Sequence, residues 1–207
     1  MKKIILPGFC AVLLAACGGG QSTETTTTDT LEVCTYSYDS SSTVLTWTAF
    51  KLTEKIGVNG TFDQVYVTAN DSASDMFAVL TGATFEIPVA SLNSQDAGRD
   101  AKVKNSFFGN LGTTENISGS LISIDAQSAQ VSITMNGISK EYTGVVTVEG
   151  EKITMTTTID ILDFNGQIAI DSLGVVCEEK HTGPDGINKL WSTVDIAVST
   201  TLVKSCK

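Results

Sequence analysis

The sequence predicts an all-β domain of eight antiparallel strands closed into a barrel, with one or two short helices. Three observations carry that prediction. Apolar and polar residues alternate at period two over most of the chain, turn signals separate the runs, and Thr, Ser, Val and Ile abound while Pro occurs only 3 times.

The elements follow in order. Thr43 to Leu52 alternates, with Leu45, Trp47 and Ala49 on one face. Asn59-Gly60 reads as a bend or bulge, and Thr61 to Ala69 as the second strand. Asp75 to Val89 reads as one long third strand carrying Phe77, Val79, Phe85 and Ile87. Helix formers behind an Asn/Ser start make Ser94 to Phe108 a helix. Asn116 to Ile124 and Ala129 to Met135 pair, with Val131, Ile133 and Met135 sharing a face. Asn136-Gly137 is a two-residue hairpin signal leading to Tyr142–Val148, and Glu149-Gly150-Glu151 is the next turn. Ile153, Met155, Ile159 and Ile161 alternate with Thr154, Thr156, Thr158 and Asp160, so the odd face of this strand points inward. Gln167 to Glu179 spaces Ile168, Leu173 and Val176 as a second helix would. Trp191 to Val203 closes the set, with Val194, Ile196 and Val198 facing one way. No internal repeat is evident.

An eight-stranded antiparallel sheet that closes on itself leaves an interior wide enough for one small ligand. The residues expected to line it are Leu45, Trp47, Phe62, Phe77, Val79, Phe85, Ile133, Met135, Met155, Ile159, Val194 and Ile196.

The amino terminus has a different character. Met1-Lys2-Lys3 is positive and Ile4 to Leu14 is apolar apart from Pro7 and Gly8, the layout of a secretory signal over residues 1–16. It ends in Leu14-Ala15-Ala16-Cys17, which resembles the lipobox of bacterial lipoproteins and implies lipidation of Cys17. Residues 17–33 then read as a lipidated cysteine and a tether. Gly18 to Thr30 has no apolar residue and would hold the domain, residues 34–207, roughly 20 Å from its anchor. Gly18 in place of Asp implies sorting to the outer membrane, facing the periplasm or the outside. The expected localisation is therefore the cell envelope.

Charge excludes several partners. The chain carries −10, and loss of Lys2 and Lys3 leaves −12. This argues against nucleic acid and against a domain face that clings to anionic headgroups, so membrane contact is expected through Cys17 alone.

Catalytic options are poor. His181 is the only histidine, which rules out a histidine metal cluster and leaves no spare member for a Ser-His-Asp triad. Cys177 and His181, four apart, are a weak metal or haem hint; a surface histidine beside a disulfide cysteine is the plainer reading. No enzyme activity, metal or cofactor is expected. Asp96, Arg99 and Asp100 could meet a ligand headgroup at the barrel mouth. A helix-start acid and an ion pair holding the helix over the barrel is the structural reading of the same residues. Phe107 and Phe108 would line the pocket or dock that helix.

Cys34, Cys177 and Cys206 permit one disulfide in an exported chain. First and last strands of a closed barrel are antiparallel neighbours, which favours Cys34 with Cys206. Cys177 with Cys206 and Cys34 with Cys177 compete.

Ser91-Leu92-Asn93-Ser94-Gln95-Asp96-Ala97-Gly98-Arg99-Asp100, closed by Phe107-Phe108, resembles the signature of the YceI-like family. Gly60-Thr61-Phe62 resembles its Gly-x-Phe in strand two, and Met135 to Lys140 its hairpin between strands five and six. The likeness runs from about Thr43 to Val203. Thr113-Thr114-Glu115-Asn116 departs from the family's Tyr-Pro, and Gln167 to Lys189 is longer than in the simplest members. The resemblance implies a lipocalin-like barrel holding a polyisoprenoid chain, a quinone or polyprenyl lipid, for sequestration or transport. A structural or adhesion lipoprotein with a packed lumen is the alternative, and lumen volume discriminates the two. An enzyme or redox accessory using Cys177 and His181 is a minor third.

Overall fold

The computed structural model describes residues 32–112 and 114–207. The signal, Cys17 and the tether to Leu31 lie outside the described residues.

The strands are β1 (Cys34–Ser37), β2 (Val44–Lys51), β3 (Ile56–Phe62), β4 (Tyr66–Thr68), β5 (Thr84–Pro88), β6 (Leu92–Asn93), β7 (Asn116–Ile124), β8 (Ser128–Met135), β9 (Ile138–Glu149), β10 (Lys152–Asp160), β11 (Leu190–Thr201) and β12 (Val203–Cys206). The α-helices are α1 (Met76–Leu80), α2 (Ala97–Lys102), α3 (Gln167–Val176) and α4 (Glu178–His181).

Ten strands form one curled antiparallel sheet, in the order β4-β5-β7-β8-β9-β10-β11-β2-β3-β6. The two ends of that order meet. β3 runs on into β4 and β5 into β6, and the amide of Asp63 donates to the carbonyl of Ser91 at 2.8 Å between the paired halves. Counted as lines of chain, the wall has eight strands, two of them broken. The breaks at 63–65 and 89–91 are why the ladder counts ten. The expected closure is present: Leu45 faces Val198 and Trp47 faces Ile196 across β2 and β11.

Alternation sets the register. On β10, Ile153 and Ile159 are buried while Thr156 and Thr158 are exposed. At the β8–β9 hairpin, Asn136 and Gly137 take φ 53° and 70°, the left-handed values a two-residue turn requires.

Several expected elements are corrected. Asp75 to Val89 is not one strand. Asp75 caps α1 by accepting from the amides of Phe77 and Ala78, and β5 begins only at Thr84. Asn59 and Gly60 lie inside β3, and the bend falls instead between Lys51 and Ile56, with Leu52 and Lys55 at φ 62° and 57°. The first long helix starts at Ala97, because Gln95 (φ 63°) and the Asp96 cap precede it; it continues as a π segment, Val103–Phe107, and a 3-10 turn, Phe108–Asn110. On α3, Ala169 and Ile170 are buried while Ile168 and Val176 face solvent, so that helix is rotated from the expected register. β1 and β12 form a separate pair beyond the barrel, joined by the disulfide Cys34–Cys206.

Candidate functional site

Large apolar side chains face the lumen, yet they leave space because glycines let them lie flat on the wall. Gly60 pairs with Trp47, and a Cβ there would overlap the indole. Gly119 pairs with Phe85 and would overlap that ring in the same way. The rings therefore lie along the sheet instead of crossing the interior.

What remains is a series of chambers. At the α1 end a cavity of about 170 Å³ is lined by Leu45, Phe62, Phe85, Ile133, Met135, Met155, Ile159 and Ile196, with Leu80, Ala83, Ile124 and Ile153 beneath. The second, of about 120 Å³, is lined by Trp47, Val194, Phe107, Phe108, Val103, Ile170 and Leu173. Phe62, Ile117, Met135 and Ile159 belong to both walls and form a waist. The third, of about 330 Å³, shares Trp47, Ala49, Val103, Leu173 and Leu190 with the second and carries Lys51, Asp96, Arg99, Lys102, Lys180, Cys177 and His181.

Ten of the twelve side chains expected in the lumen thus surround the two apolar chambers. Phe77 and Val79 do not. They sit on α1, in a separate cluster with Leu80, Val146, Ile153 and Leu202 that covers the α1 end. Their period-two spacing imitated a strand, but the Asp75 cap turns the segment into a helix. Ile117 and Leu121 line the lumen and escaped notice, because β7 slips register between Leu121 and Ser123 and turns Ile122 out to solvent. Phe107 and Phe108 both line the second chamber and dock their helix, packed edge to face at 5.0 Å.

The Asp96-Arg99-Asp100 group is chiefly structural. Asp96 accepts from the amide of Arg99, and that bond holds its carboxyl below the usual carboxylate range. Arg99 and Asp100 are joined through Ser94, not directly. Arg99 donates to the Ser94 hydroxyl at 2.7 Å and to its carbonyl at 2.6 Å, while Asp100 accepts from the Ser94 amide at 2.9 Å. Asp96 and Arg99 also face the third chamber; Asp100 does not line it.

The plainer reading of Cys177 and His181 is corrected on both counts. Cys177 is a free thiol, and His181 is buried at 8% exposure. Burial first, then the neighbouring Lys51 and Lys102, pushes the imidazole pKa below its ordinary value. Among the described residues its Nδ1 has no hydrogen-bond partner.

The model of the YceI-like domain family matches residues 36–202. This chain belongs to the YceI-like family. Several solved structures are similar in fold. Burkholderia cenocepacia BcnA superposes with a TM-score of 0.51 at 13% identity, over 81% of this chain and 99% of that one. A polyisoprenoid binding domain from Saccharophagus degradans, described as implicated in plant cell wall breakdown, gives 0.54 at 12% identity, over 83% and 98%. No curated protein matches significantly. In this YceI-like domain the motif glycine of Gly60-Thr61-Phe62 is the one beneath Trp47, and the motif phenylalanine forms part of the waist.

Proposed function

We propose that this protein is an envelope lipoprotein that holds an apolar isoprenoid-type chain, a quinone tail or polyprenyl lipid, in its barrel lumen. The observation that carries the reading is the pair of apolar chambers sharing one waist. Apolar cavities of about 150 Å³ hold a benzene-sized group, so the two together offer room for about a dozen carbon atoms without rearrangement. A chain of that length placed there is withdrawn from water at ~25 cal/mol per Å² of apolar surface. The polyisoprenoid binding domain of similar fold supports the same ligand class.

The test compares two adjacent positions. Met155 lines the lumen and Thr156 points to solvent. Met155→Glu places an unpaired charge among apolar walls, which should empty the barrel or unfold it. Thr156→Glu should stay within about 0.5 kcal/mol of wild type and keep its lipid. Lipid extracts and circular dichroism of all three proteins decide. Equal lipid in folded wild type and folded Met155→Glu would sink the lumen reading, and an empty wild type would favour a structural lipoprotein.

Anchoring belongs to the same proposal: Cys17 carries the lipid and the domain has no membrane affinity of its own, in the outer membrane on its periplasmic or outer side. Cys17→Ser should then move the protein wholly into the soluble fraction. A variant that still pellets with membranes refutes the anchor.

A further inference from the structure

The third chamber has a chemistry that the lumen reading does not use. Four of the chain's 13 basic side chains, Lys51, Arg99, Lys102 and Lys180, line it, against one carboxylate, Asp96. In a chain of net charge −10 this concentration is the reverse of the average surface. The cations come from β2, α2 and α4, and only Arg99 and Lys102 are brought together by sequence spacing.

Their hydrogen-bonding capacity is only partly used. Lys51 donates to the Lys180 carbonyl at 3.0 Å, which leaves two of its three ammonium protons. Arg99 uses two of its five donors on Ser94. Asp96 accepts from the amide of Arg99 and offsets part of the charge of Arg99 and Lys102, which still leaves four cations against one carboxylate. His181 closes the argument. It lines the chamber, it is buried, and among the described residues its Nδ1 lacks a partner, so the imidazole is a polar group held at the chamber wall and not packed into a satisfied core.

We propose that this mouth chamber is a binding site for a phosphate-type anion, held by Lys51, Lys102 and Lys180 beside the buried His181. Several cations facing one cavity match an anion carrying more than one charge, and tetrahedral oxygens accept from several directions at once. Because the chamber shares Trp47, Val103, Leu173 and Leu190 with the apolar chamber below it, the anion can be the headgroup of a chain-bearing phosphate or a free phosphate. Only the headgroup source rests on the lumen reading; the site itself does not.

The sole histidine makes the test direct. The full chain labelled with ¹⁵N-histidine reports on His181 alone. Titration with inorganic diphosphate should shift the imidazole signals saturably. Acetate at equal ionic strength should not, and an equal effect of acetate would overturn the phosphate assignment. Lys51→Gln/Lys102→Gln/Lys180→Gln protein should bind diphosphate at least tenfold more weakly; Lys102→Gln alone, at an exposed position, serves if the triple variant misfolds. Undiminished binding in a folded variant overturns the proposal, as does the absence of any saturable shift in wild type. Farnesol and farnesyl diphosphate separate the sources. Tenfold tighter binding of farnesyl diphosphate than of farnesol or diphosphate identifies a lipid headgroup, and parity with diphosphate identifies a free anion. Diphosphate binding without any farnesol binding would remove the lumen reading and leave the mouth site standing.

Discussion

At the α1 end of the barrel none of the described residues lining the chamber is charged; at the α2–α3 end the chamber carries four cations and a buried histidine. One sheet builds both. The difference comes from what is inserted between its strands. α1 and the β1–β12 pair cover the first end with Val79, Leu80 and Leu202, and a charge there would have neither water nor a partner. The second end is covered by the α2 segment and by α3 and α4, which contribute one apolar face to the lumen and cationic side chains to its rim. A lumen polar at one end only would give the proposed amphiphile a direction, tail toward α1.

The largest expected effect tests how the α1 end is held. The disulfide Cys34–Cys206 spans 172 residues, worth up to about 5 kcal/mol in the chain-entropy model. Cys34→Ser should lower the urea midpoint and open Cys206 to alkylation. Loosening should be local first: the amide of Tyr36, bonded to the Ala73 carbonyl at 2.7 Å, should exchange faster while amides of α3 keep their protection. Uniform acceleration at both ends would show that the ends are not independent, and a protected Cys206 would mean that it re-pairs with Cys177.

The same contrast explains how much was legible in the sequence. The wall was, because a half-buried strand must alternate: Ile153 to Ile161 reveals its inner face from the period-two pattern alone. The coverings were harder. Phe77 and Val79 alternate as a strand would, and only the Asp75 cap betrays a helix one and a half turns long. Ile168 and Val176 are apolar yet exposed, so helical spacing put the wrong side of α3 inward. The basic chamber was legible only in part: Asp96, Arg99, Cys177 and His181 were marked by the sequence, but the lysines were not. Lys51, Lys102 and Lys180 are far apart in sequence, and only the packing of α2 and α4 beside β2 assembles them.

A smaller effect tests the space between the ends. Gly60→Val puts a branched side chain where the Trp47 ring lies, an overpacking that should cost about 1–3 kcal/mol and alter tryptophan emission. Gly174→Ala, in α3 with nothing within 4 Å of an added Cβ, should instead stabilise by roughly 0.5–1 kcal/mol. If Gly60→Val proved as harmless, Trp47 would not be held flat by the glycine, and the lumen would owe its space to something else.

The smallest effect separates the two ends by pH. His181 at the mouth faces Lys51 from β2, Arg99 and Lys102 from α2, and Lys180, with Asp96 and Cys177 on the same wall. Its folded pKa lies below the ordinary value, through burial first and then Lys51 and Lys102. As pH falls below about 6.5 the unfolded chain takes up a proton that the folded protein resists. The unfolded state then binds more protons, so stability present at neutral pH declines on acidification through that window. Tyr38, lining the α1 chamber, is displaced upward by burial, and Tyr142 is displaced further in the same direction, by burial first and then by its hydrogen bond to Asp163; both act at the other extreme. Above about pH 10 the unfolded phenol ionises before the folded one, and stability falls as pH rises. Asp39, Asp96, Asp125 and Asp185 are held low by hydrogen bonds and add their own loss only in the acid range near and below 3.8. Urea midpoints of wild type, His181→Gln and Tyr38→Phe between pH 5 and 11 distinguish these contributions. His181→Gln should flatten the slope between pH 7 and 5 and leave the alkaline limb intact; Tyr38→Phe should leave the acid slope intact and lessen the alkaline limb, of which the Tyr142 share remains. An acid slope unchanged in His181→Gln would place the responsive group elsewhere and break the pH asymmetry between the ends.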